Sequence, residues 1–149
     1  MKEKDKKLLF IDISARLPHG VKLKIWLNDG TTEEGTLDIK HNYADVLLNF
    51  FYYNKIKDCK PYLRPMSSMT EEERWDFGRI FNSFEYLKLE LLENGLSFHE
   101  IYDITGMCDV TWNELNTAID WLNSHHFDYR GLIEKGLAIE VTEQNNPYK

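Results

Sequence analysis

His99 and Asp103 stand four residues apart, so on a helix their imidazole and carboxylate would share one face, a spacing that metal ligation allows. His125 and His126, beside Asp128, are the only other clustered histidines. Neighbouring helical side chains diverge by about 100°, so these two rings suit a helix end, where an imidazolium favours the dipole, better than a shared ion. A metal-assisted hydrolase would have to be assembled from His99, Asp103, His125 and His126. Nucleophilic chemistry has less to work with. The sequence contains no Gly-x-Ser-x-Gly elbow, no glycine-rich phosphate loop and no His-Glu-x-x-His. Cys108 adjoins Asp109, whose charge raises a thiol pKa. Glu33-Glu34 and Glu71 to Glu73 fall in a hairpin and a first helical turn, where acids have structural reasons to be. No catalytic residue, metal or cofactor is expected, and the chain reads as non-enzymatic.

Binding chemistry is better supplied. Aromatic residues make up 13% of the 149 residues, and Phe50, Phe51, Tyr52 and Tyr53 run consecutively. Tyr62, Arg64, His126, Tyr129 and Arg130 form the one basic-aromatic concentration in or beside the acidic half, and they are the expected binding surface for a partner protein. The alternative is a nucleic-acid surface in the first half, using Lys22, Lys24, Trp26 and Lys40.

Charge divides the chain near Pro65. Residues 1–65 hold 12 Lys+Arg and 9 Asp+Glu, whereas residues 66–149 hold 6 and 16. Two lobes are therefore expected, 1–65 and 66–149, within one unit. Three of the four prolines precede Met66, which favours helix afterwards. A mean hydropathy of -0.51 and the lack of a long apolar run argue against a membrane span. The apolar stretch after MKEKDKK is too short for a secretory signal. With two cysteines at no metal-type spacing, a cytoplasmic location is expected.

The elements follow from pattern. Leu9, Ile13 and Leu17 recur every fourth residue, with Asp12 and Arg16 on other faces, predicting a helix over 8–17 that Pro18 and Gly20 stop. VKLKIWL alternates as a strand, Asn28-Asp29-Gly30 turns it, and TTEEGTLDI returns with a bulge or bend expected at Gly35. Residues 44–53 read as a third, apolar strand and 55–63 as a short fourth. In the second half, Thr70 with Glu73 opens a helix expected to run to Asn94-Gly95, roughly 24 residues and about 36 Å. Ser97 with Glu100 and Thr111 with Glu114 open two more, Asp128 caps a fourth over Tyr129–Leu137, and residues 138–141 form a terminal strand or tail before a frayed end. The fold expected is α+β: a small, strongly bent antiparallel sheet or barrel, then a helical lobe of about four helices.

The first half resembles Sm-like and SH3-like small barrels through VKLKIWLNDG and the glycine-bearing TTEEGTLDI. Where Sm proteins carry a basic-Gly pair that contacts RNA, this chain has NFFYYNK. Residues 97–141 also resemble a winged helix-turn-helix, though the recognition-helix position, 112–123, carries Glu114 and Asp120 and no Lys or Arg. Three longer strings, DISARLPHGVK (12–22), KPYLRPMSSMTEEE (60–73) and DWLNSHHFDYRGLIEKGLAIE (120–140), resemble an uncharacterised family of small Bacteroidetes phage- and prophage-associated proteins. That resemblance implies a phage setting, with a host or phage protein as partner, and no particular activity.

Overall fold

The computed structural model describes residues 1–40, 43–81 and 111–149. Its contacts divide the chain into two units, Met1–Leu63 with Leu132–Lys149, and Arg64–Gly131. Leu132–Lys149 thus belongs with the first unit, whereas the charge pattern had put all of 66–149 in one acidic lobe. The fold class is α+β, as expected.

Helix α1 spans Glu3–Arg16, starting five residues before the apolar spacing predicts. A 3-10 turn over Leu17–His19, with Pro18 in its first turn, and Gly20 at φ 70 then lead into the sheet. Strands β1 (Val21–Leu27), β2 (Thr32–Leu37), β3 (Ile56–Leu63) and β4 (Ile139–Glu140) lie in the order β2-β1-β3-β4. β1 is antiparallel to both neighbours and β4 is parallel to β3, so the sheet is mixed. β2 and β4 are its edges, and it is not closed into a barrel. The Asn28-Asp29-Gly30 turn forms as predicted: Gly30 takes φ 88, and Asp29 Oδ1 accepts from both the amide and the hydroxyl of Thr31. Pairing through Gly35 is regular, and the irregularity lies instead between Trp26 and Leu27 on the β3 side.

The expected third strand is a helix, α2 (Tyr43–Phe51). Val46 with Phe50 and Leu47 with Phe51 are i, i+4 pairs, so the segment has helical as well as extended periodicity, and packing on α1 and β3 decides the outcome. Asn54, at φ 52, ends this region in the left-handed conformation that asparagine tolerates. Val21, Leu23 and Ile25 of β1 join Leu9, Ile13 and Phe50 in the core of the first unit.

That core also holds a charge pair. Asp12 and Arg16, which the sequence places on polar faces of α1, are both fully buried, and Arg16 donates from Nε and Nη2 to the two Asp12 oxygens at 2.8 and 3.0 Å. Tyr148 belongs to the same region. Its hydroxyl accepts from the Lys22 amide at 3.2 Å and donates to the Tyr62 carbonyl at 2.7 Å, bridging β1 and β3 just past their last registered pair, Leu23 and Pro61. Burial pushes this phenol up to about 12. The end of the chain is therefore tied down, contrary to the expected fraying.

In the second unit, α3 (Glu71–Gly78) begins with the predicted capping box, Thr70 and Glu73 each bonding the other's amide. It stops at Gly78 instead of continuing through Phe81, tightened by the bonds from Ile80 to Phe77 and from Phe81 to Gly78. Helix α4 (Trp112–Ser124) starts at Thr111, whose hydroxyl accepts from the Glu114 amide as expected. Phe77, Phe81, Leu122 and Phe127 centre this unit's core. The helix expected over Tyr129–Leu137 is a run of turns, because Gly131 and Gly136 both take positive φ (68 and 69). The helix expected over 97–104, and the continuation of α3 to 94, fall outside the described residues.

Removing one member of a buried pair strands the other charge, whereas replacing both by apolar groups does not. Arg16→Met or Asp12→Leu alone is expected to lower the urea-unfolding free energy by about 3–5 kcal/mol. The double change is expected to recover most of that loss, and equal losses for single and double variants would contradict it.

Candidate functional site

Alternation along β1 decides the first candidate surface. With Val21, Leu23 and Ile25 buried, Lys22, Lys24 and Trp26 stand on the opposite, half-exposed face. Register then brings two other strands to them. Lys24 lies opposite Glu34 of β2 and Lys60 of β3, and Trp26 lies opposite Thr32 and Asp58. The ammonium groups of Lys24 and Lys60 sit 5.8 and 5.9 Å from the centre of the Trp26 ring. Each also has a carboxylate neighbour, Glu34 at 3.5 Å for Lys24 and Asp58 at 3.9 Å for Lys60. Tyr62 donates to Glu34 at 2.7 Å. That bond, helped by Lys24 and opposed by slight desolvation, holds the Glu34 carboxyl below its ordinary value, while burial and Glu34 push the Tyr62 phenol up to about 12. Beside them is a cavity of about 240 Å3 lined by Lys22, Leu23, Glu34, Gly35, Tyr62 and Pro147. Lys40 lies past the end of β2, where its amide bonds Asp38, and it takes no part in these contacts.

A second surface lies on α1 and α2. Phe50 of the aromatic run is buried, but Tyr52 is 78% exposed and Tyr53 59%, with Phe10 and Leu48 at 43%. Phe10 meets Phe51 edge to face at 5.1 Å, joining the two helices at this surface. Lysines border it: Lys6 Nζ lies 5.5 Å from the Phe50 ring and donates to Asn54, and Lys55 Nζ lies 5.7 Å from the Tyr53 ring.

The binding surface expected from the sequence divides between the units. Tyr62 belongs to the first; Arg64, His126, Tyr129 and Arg130 belong to the second. Arg64 is committed to the second unit's own packing. It grips Glu73 with two bonds of 2.7 and 2.9 Å, donates to the Ser68 carbonyl and lies 4.2 Å over Phe127. Phe127 stacks on Trp121, which stacks on His125 at 3.9 Å. Tyr129, buried, donates to Asn123, and Arg130 lies 4.5 Å over the Tyr129 ring. His126 takes φ 60 at the turn after α4.

Among the described residues, no three His, Cys, Asp or Glu side chains gather as a metal site would require, and His99, Asp103 and Cys108 fall outside those residues. Burial, aided by Asp58, pushes the Cys59 thiol up to about 12 and away from the reactive thiolate. Comparison with family models, curated proteins and solved structures finds no match for this chain.

The sequence signals for these surfaces were unequal. Lys22, Lys24 and Trp26 are legible as one face by alternation, but Asp58 and Lys60 join them only through strand pairing. The α1–α2 surface was signalled by the aromatic run alone, with its geometry misread as a strand.

The Arg64–Glu73 contact has a pH signature. Partial burial pushes the Glu73 carboxyl up, but the Arg64 hydrogen bonds and charge and the Thr70 amide outweigh it and hold it below 4.5. A carboxyl lowered by folding stabilises above its unfolded value and loses that contribution as pH falls through the lowered one. Urea midpoints taken below pH 4.5 are expected to drop more steeply for the natural chain than for Glu73→Gln. Parallel curves would show that the contact contributes nothing.

Proposed function

We propose that this chain is a non-enzymatic binding protein that acts by protein–protein contact, and that the α1–α2 surface is its docking face. The observation that carries this reading is the exposure of Phe10 on α1 and of Leu48, Tyr52 and Tyr53 in and just after α2, with Phe10 meeting Phe51 of α2 edge to face. Adjoining apolar side chains left in water are costly to maintain and mark interaction surfaces, and tyrosine is among the residues that dominate binding energy. Lys2, Lys4, Lys6 and Lys7 of the α1 segment outnumber Glu3 and Asp5, and Lys55 and Lys57 follow α2. The complementary partner is a protein segment with an apolar face and acidic flanks. The family resemblance makes host or phage proteins the class in which to seek it.

Leu48 and Tyr52 point away from the core, so serine at both positions is expected to shift stability by no more than about 0.5 kcal/mol per site. Immobilised natural chain is expected to retain a discrete protein from host-cell lysate, released as salt rises. The Leu48→Ser/Tyr52→Ser chain is expected to lose it by about thirtyfold or more. Equal retention by both chains would refute this docking face.

A further inference from the structure

We propose that the open face of the first unit's sheet binds single-stranded nucleic acid, with Trp26 as the stacking platform and Lys22, Lys24 and Lys60 as the phosphate contacts. This face is separate from the docking surface, because alternation along β1 sends Lys22, Lys24 and Trp26 to the side opposite Val21, Leu23 and Ile25, which pack with residues of α1 and α2. Three features point to this ligand. The Trp26 ring stands on a half-exposed sheet face with the Lys24 and Lys60 ammonium groups over it, 5.8 and 5.9 Å from its centre, so a base that takes up the ring face displaces those lysines toward its own phosphates. Lys22, Lys24 and Trp26 are spaced over about 13 Å of strand, a row suited to a short run of backbone rather than one isolated anion. The cavity by Lys22 and Tyr62 extends the same row with a recess whose lining includes the Lys22, Glu34 and Tyr62 side chains beside Leu23, Gly35 and Pro147. An unpaired base offers the flat face that an aromatic platform takes up, which a duplex keeps within its stack.

Glu34 and Asp58 set the strength of binding. Each holds one lysine, so incoming phosphates exchange with carboxylate contacts of 3.5 and 3.9 Å, the first to an exposed Glu34 and the second to a half-buried Asp58. Such contacts are weak. The face carries three lysines against these two acids, which makes binding modest and steeply salt-dependent.

The test is fluorescence anisotropy of a labelled oligo-U or oligo-dT of about twelve nucleotides, with the full chain at salt from about 50 to 200 mM. Binding is expected at the low end, with affinity falling as salt rises. Lys24→Gln and Lys60→Gln should each weaken binding and flatten the salt slope by about 0.7. Trp26→Ala should cost about tenfold and Trp26→Phe much less. Glu34→Gln is the decisive variant, because it removes a competitor and should tighten binding severalfold, a gain that no folding defect produces. Leu48→Ser/Tyr52→Ser should bind the oligonucleotide as the natural chain does, which separates this face from the docking surface. The proposal is overturned by no anisotropy change at low salt, or by binding that is indifferent to Lys24, Lys60 and Glu34. A protein ligand on this face with no oligonucleotide bound would overturn it as well.

Discussion

The Asp12–Arg16 pair is the constraint around which the first unit is arranged. Two charges with no exposed surface carry a desolvation cost of several kcal/mol each, offset only where the geometry is good and further polar groups converge. Spacing of four along α1 supplies the geometry, since both donors of one guanidinium edge reach both carboxylate oxygens within a single turn. The pair therefore requires that α1 be helical there. The fields of both charges reach the Tyr148 hydroxyl, with opposite effects on its ionisation. That hydroxyl in turn occupies the Lys22 amide and the Tyr62 carbonyl. The ion pair fixes a helix near the start of the chain, and the tyrosine at position 148 fixes the junction of β1 with β3.

With that side of β1 filled, the other side is left to polar and aromatic residues. This is the ordinary consequence of a two-residue period when helices cover one face of a sheet. What the exposed face then carries is set by pairing, not by β1 alone. Lys60 reaches Trp26 because β3 runs antiparallel in the register Lys24–Lys60, and a slip of one residue would replace it with buried Cys59 or Pro61. The irregularity between Trp26 and Leu27 comes just after this contact, so the ladder is regular where the lysines and the tryptophan meet.

Features that rest on neighbours in sequence were legible, and features that rest on partners were not. The Asn28-Asp29-Gly30 turn, the caps at Thr70 and Thr111 and the alternation of β1 all depend on residues within a few positions, and all are present. Residues 44–53 misled because ADVLLNFFYY satisfies a buried strand and a helix alike, and only α1 and β3 break the tie. Asp12 and Arg16 read as surface residues because periodicity assigns a face by charge, while in the fold they pair with each other four residues apart, fully buried. The set of Tyr62, Arg64, His126, Tyr129 and Arg130 has one member in the first unit and four in the second. Composition groups residues by type, whereas contacts assign Tyr62 to the first unit and Arg64 to the second.

Charge is shared out unequally between the units, and this bears on both surfaces. The second unit holds 5 Lys+Arg against 13 Asp+Glu, while the first holds 13 against 12. Arg64 does not relieve the imbalance for a ligand, because its guanidinium is occupied by Glu73, Ser68 and the Phe127 face. Net charge therefore disfavours a polyanion on the acidic unit relative to the first. Screening sets how far these charges reach. At about 0.15 M salt the Debye length is near 8 Å, and unlike and like charges beyond that distance barely interact. Lowering the salt strengthens the lysine contacts. The salt slope for an anion on the sheet face is then a local matter, set by the lysines and lessened by the Glu34 and Asp58 carboxylates beside them.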